Sequence, residues 1–170
     1  IHVTIGMLED KCCELNKRFF TFHKKKRPYI ILKWAETADG FIAPNENLRN
    51  TLNDNEQKPV WITNPYSRQL VHKWRSEEQA ILVGTQTVSD DNPSLNVRDW
   101  KGDQPIKIVL DRQNRLDEGL TVFNSKEKTL VISEAKKTFK NEKCISEAIN
   151  FKENLAQEIC TILFKNNIQS

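Results

Sequence analysis

Gln79-Ala-Ile-Leu-Val-Gly-Thr-Gln-Thr-Val-Ser-Asp-Asp-Asn-Pro-Ser-Leu-Asn-Val-Arg98 is the stretch on which the fold turns. The apolar, β-branched run from Ala80 to Val83 has the composition of a strand buried on both faces, and it stops at Gly84. Hydroxyls, acids and an Asn-Pro turn follow, so the strand opens into a polar site. In open α/β sheets ligands sit beyond the carboxyl ends of the strands, where turn backbone and helix N-termini offer unpaired N–H groups.

Working outward, Ile106-Lys-Ile-Val-Leu-Asp111 repeats the pattern and again ends in polar residues, Asp111-Arg112. Thr129 to Ser133 is a third buried strand, Lys143 to Ile145 a short candidate fourth, and Leu120 to Phe123 a short apolar segment. Asn64-Pro65 supplies a helix cap with proline at the first helical position. The helix that follows, Tyr66 to Glu78, sets Tyr66, Leu70, Val71 and Trp74 on one stripe, expected to be core. A second amphipathic helix lies between Phe151 and Asn167 on Leu155, Ile159, Ile162 and Leu163. Alternating strands and helices predict an α/β domain with a mostly parallel sheet covered by helices on both faces. Right-handed crossovers put the ends of the first two strands on one rim, so that Lys33, Thr87, Asp91, Arg98 and Arg112 face one cleft.

Composition bounds the function. At 170 residues, 38% hydrophobic and 29% charged, the chain suits one globular domain with a real core. A net charge of +3, with the basic residues spread out except at Lys24 to Arg27, does not call for nucleic acid. No window is apolar enough for a membrane span, and the N-terminus is charged too early for a secretory signal, which places the chain in the cytoplasm. Cys12, Cys13, Cys144 and Cys160 lack CxxC spacing and read as free thiols; with His2, His23 and His72 all apart from a Cys pair, no metal site is expected.

Before the organising stretch, residues 1–23 combine a β-like piece, Ile1 to Ile5, with a helical pattern on Leu8, Cys12, Leu15 and Phe19, too little to fold alone. Lys24-Lys-Lys-Arg27, closed by Pro28, reads as a solvated connector. Tyr29 to Ala35 is a β-rich run expected to be a central strand, and Asp39-Gly40 a tight turn after it. Lys33 stands inside that run, where an ammonium needs a partner. Two readings stay open: Lys33 reaches along the sheet to a carboxylate such as Asp39, or it meets a ligand. Residues 44–59 are rich in Asn, Asp, Glu and Gln and read as a surface loop. Arg75, in the last turn of its helix, is accounted for by the negative end of the macrodipole alone.

The rim thus carries arginines, whose forks suit phosphate, and a tryptophan, Trp61, that suits a flat ring. There is no GxGxxG, Walker A, GxSxG or HExxH run. A phosphate-bearing small molecule fits, without fixing the reaction.

The runs Arg27-Pro-Tyr-Ile-Ile-Leu-Lys-Trp-Ala-Glu-Thr-Ala-Asp-Gly40, Val60-Trp-Ile-Thr-Asn64, Arg75-Ser76, Ile81-Leu-Val-Gly-Thr-Gln-Thr-Val88, Asp91-Asn-Pro-Ser-Leu-Asn-Val-Arg98 and Pro105-Ile-Lys-Ile-Val-Leu-Asp111 follow one another in register. Together they resemble the reductase domain of the bifunctional riboflavin-biosynthesis deaminase-reductase. The resemblance implies a dihydrofolate-reductase-like fold and NADPH-dependent reduction of the ribose of 5-amino-6-(5-phosphoribosylamino)uracil to the ribityl chain. It implies that Ala35, by its backbone, with Trp61, Thr87, Asp91 and the backbone near Arg112 line the NADPH site. Pro59, Arg75, Leu95 and Arg98 fall on the substrate side, the two arginines suited to the ribose phosphate. From its place at the end of its run, Lys33 is expected to supply charge or a proton in catalysis, with Asp91 orienting polar groups. Pro59 stands where many relatives have a polar residue, so that hydrogen bond is lost; Arg112 replaces a smaller residue of some relatives and offers a charge to the adenosine phosphate.

By the same resemblance, residues 1–23 are the tail of a preceding deaminase domain, 24–28 a linker and 29–170 the N-terminal part of the reductase domain. The deaminase's zinc motif, His-x-Glu with a later Pro-Cys-x-x-Cys, is absent, so zinc belongs only to that other domain. Relatives continue past Ser170 into a strand and an acidic, glycine-rich turn that cradles the cofactor's phosphates, and they are often dimers. Two further readings stand beside this one: a non-catalytic nucleotide-binding or oligomerisation module, and dihydrofolate reductase itself, which the phosphate-suited arginines disfavour.

Overall fold

Short runs of β-branched residues build the sheet. The computed structural model describes residues 2–52 and 56–170. In chain order come α1 (Glu9–Leu15), α2 (Lys17–Lys25), α3 (Glu46–Leu52), α4 (Pro65–Glu77), β1 (Ala80–Gly84), α5 (Thr85–Asp91), β2 (Ile106–Leu110), a 3-10 turn at Thr121–Phe123, β3 (Thr129–Ser133), β4 (Cys144–Ala148) and α6 (Leu155–Lys165). The four strands are parallel in the order β1-β2-β3-β4, with Gly84 level with Leu110 and Leu110 level with Ile132. The ends of the first two strands share one rim, as the crossover rule requires.

Strand alternation sends two sets of side chains to opposite faces. Val109 and Val131 join Val88 of α5, Leu95, Val122 and Phe123; Ile108, Leu130 and Ile132 join Ile162 and Leu163 of α6 and Ile168. Each such side chain contributes about 1.5–3 kcal/mol by leaving water. The sheet is thus covered on both sides, as expected.

Three expectations need correction, and one helix was not anticipated. Strand β1 is not buried on both faces: it is the sheet's edge, and Leu82 remains 41% exposed. The hydroxyl-rich stretch after Gly84 is a helix, α5, held to the sheet by its one buried residue, Val88. The stripe on α4 is not core: Tyr66 is 82% exposed, Leu70 and Trp74 are exposed too, and the buried residue of that helix is His72. Residues 29–35 form no strand, and Ile30, Ile31, Leu32 and Trp34 are exposed. A strand needs a ladder, and here the Tyr29 N–H, donating to the Gln169 carbonyl at 2.8 Å, is the one bond of that kind among the described residues. The Ser170 carbonyl in turn accepts from the Ala80 N–H at 3.0 Å. Residues 169–170 therefore lie between the start of β1 and Tyr29.

The turn at Asp39-Gly40 forms as expected, with the Thr37 N–H donating to the Phe41 carbonyl at 2.8 Å and Gly40 at φ 86°, a value that glycine adopts freely. Within residues 44–59 the expected loop contains α3; residues 53–55 lie outside the described set. Residues 2–5 form no strand, and Ile1 is not described. Lys24 and Lys25 belong to the last turn of α2, where cations suit the macrodipole, so the basic run is partly helix. Helix α2 packs on the α/β body: the Phe22 and Phe164 rings lie 4.6 Å apart, and Arg18 forms a fork with Glu78, its Nε at 2.7 Å.

Candidate functional site

A cleft of about 1010 Å³ opens along the free edge of β1 and reaches down to Ile108, Leu163 and Ile168 of one core face. One wall is residues 28–33, the other α4, the end of β1 and the loop after α5. Lys33, Pro59, Trp61, Arg75, Thr87, Asp91, Leu95 and Arg98 all line it. Residues read from five separate segments thus meet in one cavity. Ala35 and Arg112 are not among the lining residues. Arg112, at the carboxyl end of β2, instead pairs with Glu134 at 2.8 Å.

One end of the cleft is cationic. Among the described residues no carboxylate pairs with Lys33, and Asp39 accepts from Thr37 instead. Burial, then the neighbouring Arg75, hold the Lys33 ammonium below its usual value. Arg75 donates through Nη1 to the Asn96 carbonyl at 2.6 Å, while its buried Nε has no acceptor among the described residues. Burial and then Arg98 lower its basicity also.

His72, 4% exposed, stands behind this pair. Its Nδ1 accepts from the Arg98 N–H at 3.3 Å and its Nε2 faces Asp99 Oδ2 at 3.3 Å. Leu95, buried and at φ 51°, and Asn92, at φ 39°, give the intervening loop two left-handed turns. For a leucine that conformation costs of order 1 kcal/mol or more, a cost that clusters at functional sites.

At the other end Asp91 closes α5 and accepts from Arg49 Nη1 at 2.7 Å; Asp90 lies 3.8 Å from Arg49 Nη2. Gln57 donates to the Ser89 carbonyl, so the segment before Trp61 is tied to α5 twice. The exposed Trp61 ring carries the Arg68 guanidinium 4.8 Å from its centroid. Thr87 is exposed on α5. Asp111, by contrast, is only 2% exposed and structural: it accepts from Leu116 N–H at 2.9 Å.

Arg49, Arg68 and His72 escape the sequence reading. Arg49 is a lone arginine in an acid-rich loop opposite the Asp90-Asp91 pair, which is a signal of sorts. Arg68 and His72 lie on the helix whose polar positions look solvated when the apolar stripe is taken as core.

Comparison with known proteins settles the family: residues 28–162 match the model described as the RibD C-terminal domain. The chain belongs to that family. The riboflavin biosynthesis protein RibD of Aquifex aeolicus is 38% identical over 144 residues, covering 84% of this chain and 38% of that protein. The RibD of Haemophilus influenzae is 30% identical over 184 residues, covering 100% of this chain and 47% of that one. Among solved structures, the diaminohydroxyphosphoribosylaminopyrimidine deaminase/5-amino-6-(5-phosphoribosylamino)uracil reductase of Thermotoga maritima superposes with a TM-score of 0.79 at 31% identity, over 97% of this chain and 44% of that one. Acinetobacter baumannii RibD gives 0.79 at 27% identity, over 98% and 45%. The chain spans less than half the length of these relatives. Its α/β fold is that of the RibD reductase domain, the dihydrofolate-reductase-like fold expected from the motifs. No described helix is long and apolar enough to cross a membrane.

Proposed function

We propose that this chain is the reductase portion of a riboflavin-biosynthesis enzyme that reduces the ribose of 5-amino-6-(5-phosphoribosylamino)uracil to the ribityl chain with NADPH. The observation that carries the proposal is the convergence of Lys33, Arg75 and Arg98 in one cleft. The residues fit both ligands. Trp61, Thr87 and Asp91 offer a ring, a hydroxyl and a carboxylate along one wall of the cleft. NADPH, when bound, supplies the hydride.

The chain's own part is positioning and charge. Arg75 and Arg98 hold the substrate phosphate; Lys33 places an ammonium of weakened hydration beside the first carbon of the opened sugar and gives a proton to the group that takes up charge. Asp91, steadied by Arg49, orients polar groups at the cofactor end. The test is NADPH oxidation that depends on the phosphoribosylaminopyrimidine and disappears without it; equal oxidation with and without that substrate overturns the proposal. NADPH binding with no substrate-dependent oxidation would instead select a nucleotide-binding module without turnover. Cytoplasmic location and homodimer formation belong to the same proposal; size-exclusion chromatography with light scattering tests the latter.

A further inference from the structure

We propose that His72 is a positioning residue, which in its neutral form with the proton on Nε2 holds the Arg98 backbone and Asp99 so that Arg75 and Arg98 present their charges to an anionic group of the substrate. The inference rests on the reading of the cleft as a phosphosugar site and adds a residue that works through another. An imidazole whose Nδ1 accepts an N–H and whose Nε2 faces a carboxylate is satisfied on both sides by one tautomer only. The loop it holds is clamped from its far side as well: the Val97 N–H and carbonyl bond to Gln104 at 2.7 and 2.8 Å. Arg75 then fastens to the Asn96 carbonyl at 2.6 Å. His72 is therefore, with Arg75, one of two contacts from α4 that set where the loop sits, and the one that holds the Arg98 backbone itself.

The groups facing the imidazole are Arg75, Arg98, Asp99 and the Asn96 carbonyl, with Lys33 beyond Arg75. Burial opposes protonation most, then the Arg75 and Arg98 guanidiniums, and together they outweigh Asp99 and the Asn96 carbonyl, so the ring stays neutral at physiological pH. Acid reverses this. A proton on Nδ1 removes the acceptor and sets N–H against N–H at Arg98.

Two readouts on this chain test the inference: the ¹⁵N shifts of the His72 ring, and the affinity for inorganic sulfate, an anion whose own charge is constant from about pH 8 to about pH 5. The expected tautomer carries its proton on Nε2, and sulfate binding weakens about tenfold across that window. His72→Gln, whose amide both accepts and donates without titrating, keeps sulfate affinity and loses the pH dependence. His72→Leu binds weakly at every pH; if it fails to fold, the comparison of wild type with His72→Gln still decides. A Nδ1–H tautomer, or a His72→Gln variant with the wild-type pH profile, overturns the role of His72. The expected tautomer together with no sulfate binding at any pH overturns the phosphate reading of the cleft, and this inference with it.

Discussion

Arg49 Nη1 donates to Asp91 at 2.7 Å, an ion pair that ties a helix in an otherwise polar loop to the end of α5 at the cleft rim. Both side chains are partly screened from water, so the pair is worth no more than about 1 kcal/mol in stability. Its larger effect is on Asp91, which has one steady partner there. Arg49→Ala is expected to weaken NADPH binding by roughly fivefold, the factor that about 1 kcal/mol represents, with Arg49→Lys in between. Unchanged binding would remove Arg49 from the site.

Lys33 lies on an exposed segment and makes no ion pair with any described residue. Lys33→Met is therefore expected to change stability by less than ~0.5 kcal/mol while lowering kcat by about 100-fold or more, the range for a positioned proton donor. The direction of its shift adds a pH signature. Because the folded chain holds this ammonium less readily than water does, the alkaline limb of the rate falls at a pH below the ordinary lysine value of 10.5. Stopped-flow turnover at saturating substrate measures both.

The edge position of β1 is testable by truncation. Ile132, fully buried in β3, should cost about 3 kcal/mol on replacement by Ala, and Leu82 on β1 less than about 1 kcal/mol. Equal losses in urea denaturation would place β1 inside the sheet.

Glu78 anchors α2 through Arg18. Burial opposes its ionisation, yet the hydrogen bonds from Arg18 and Ser170 prevail and its acidity rises overall. A carboxyl whose folded value lies below its unfolded one binds fewer protons when folded, so its contribution is present above about pH 4.5 and is lost on acidification below it. Hydrogen exchange in α2 should accelerate in that acid window before β3 loosens, and Glu78→Gln should abolish the difference.

How much of this was legible follows from range. The strands at Ala80, Ile106 and Thr129 are written locally, as β-branched runs bounded by polar turns. That β1 is an edge depends on strand order, which no local run encodes. Tyr29 to Ala35 has strand composition and no ladder, because pairing is a property of two segments and residues 169–170 touch it at one end only. Helix α5 was obscured by its composition: Val88 alone is buried, so there is no apolar period to see. Eight of the ten expected site residues line one cleft because they came from motifs of fixed spacing. His72 and Arg49 act through partners that lie 26 and 42 residues away in sequence, so no local pattern joins either residue to its partner.

The most direct measurement is calorimetric titration of NADPH at low salt, on this chain and on its Asp91→Ala variant. The account predicts saturable binding by the chain and a loss of about tenfold or more with Asp91→Ala. No binding, or binding indifferent to Asp91, would contradict it.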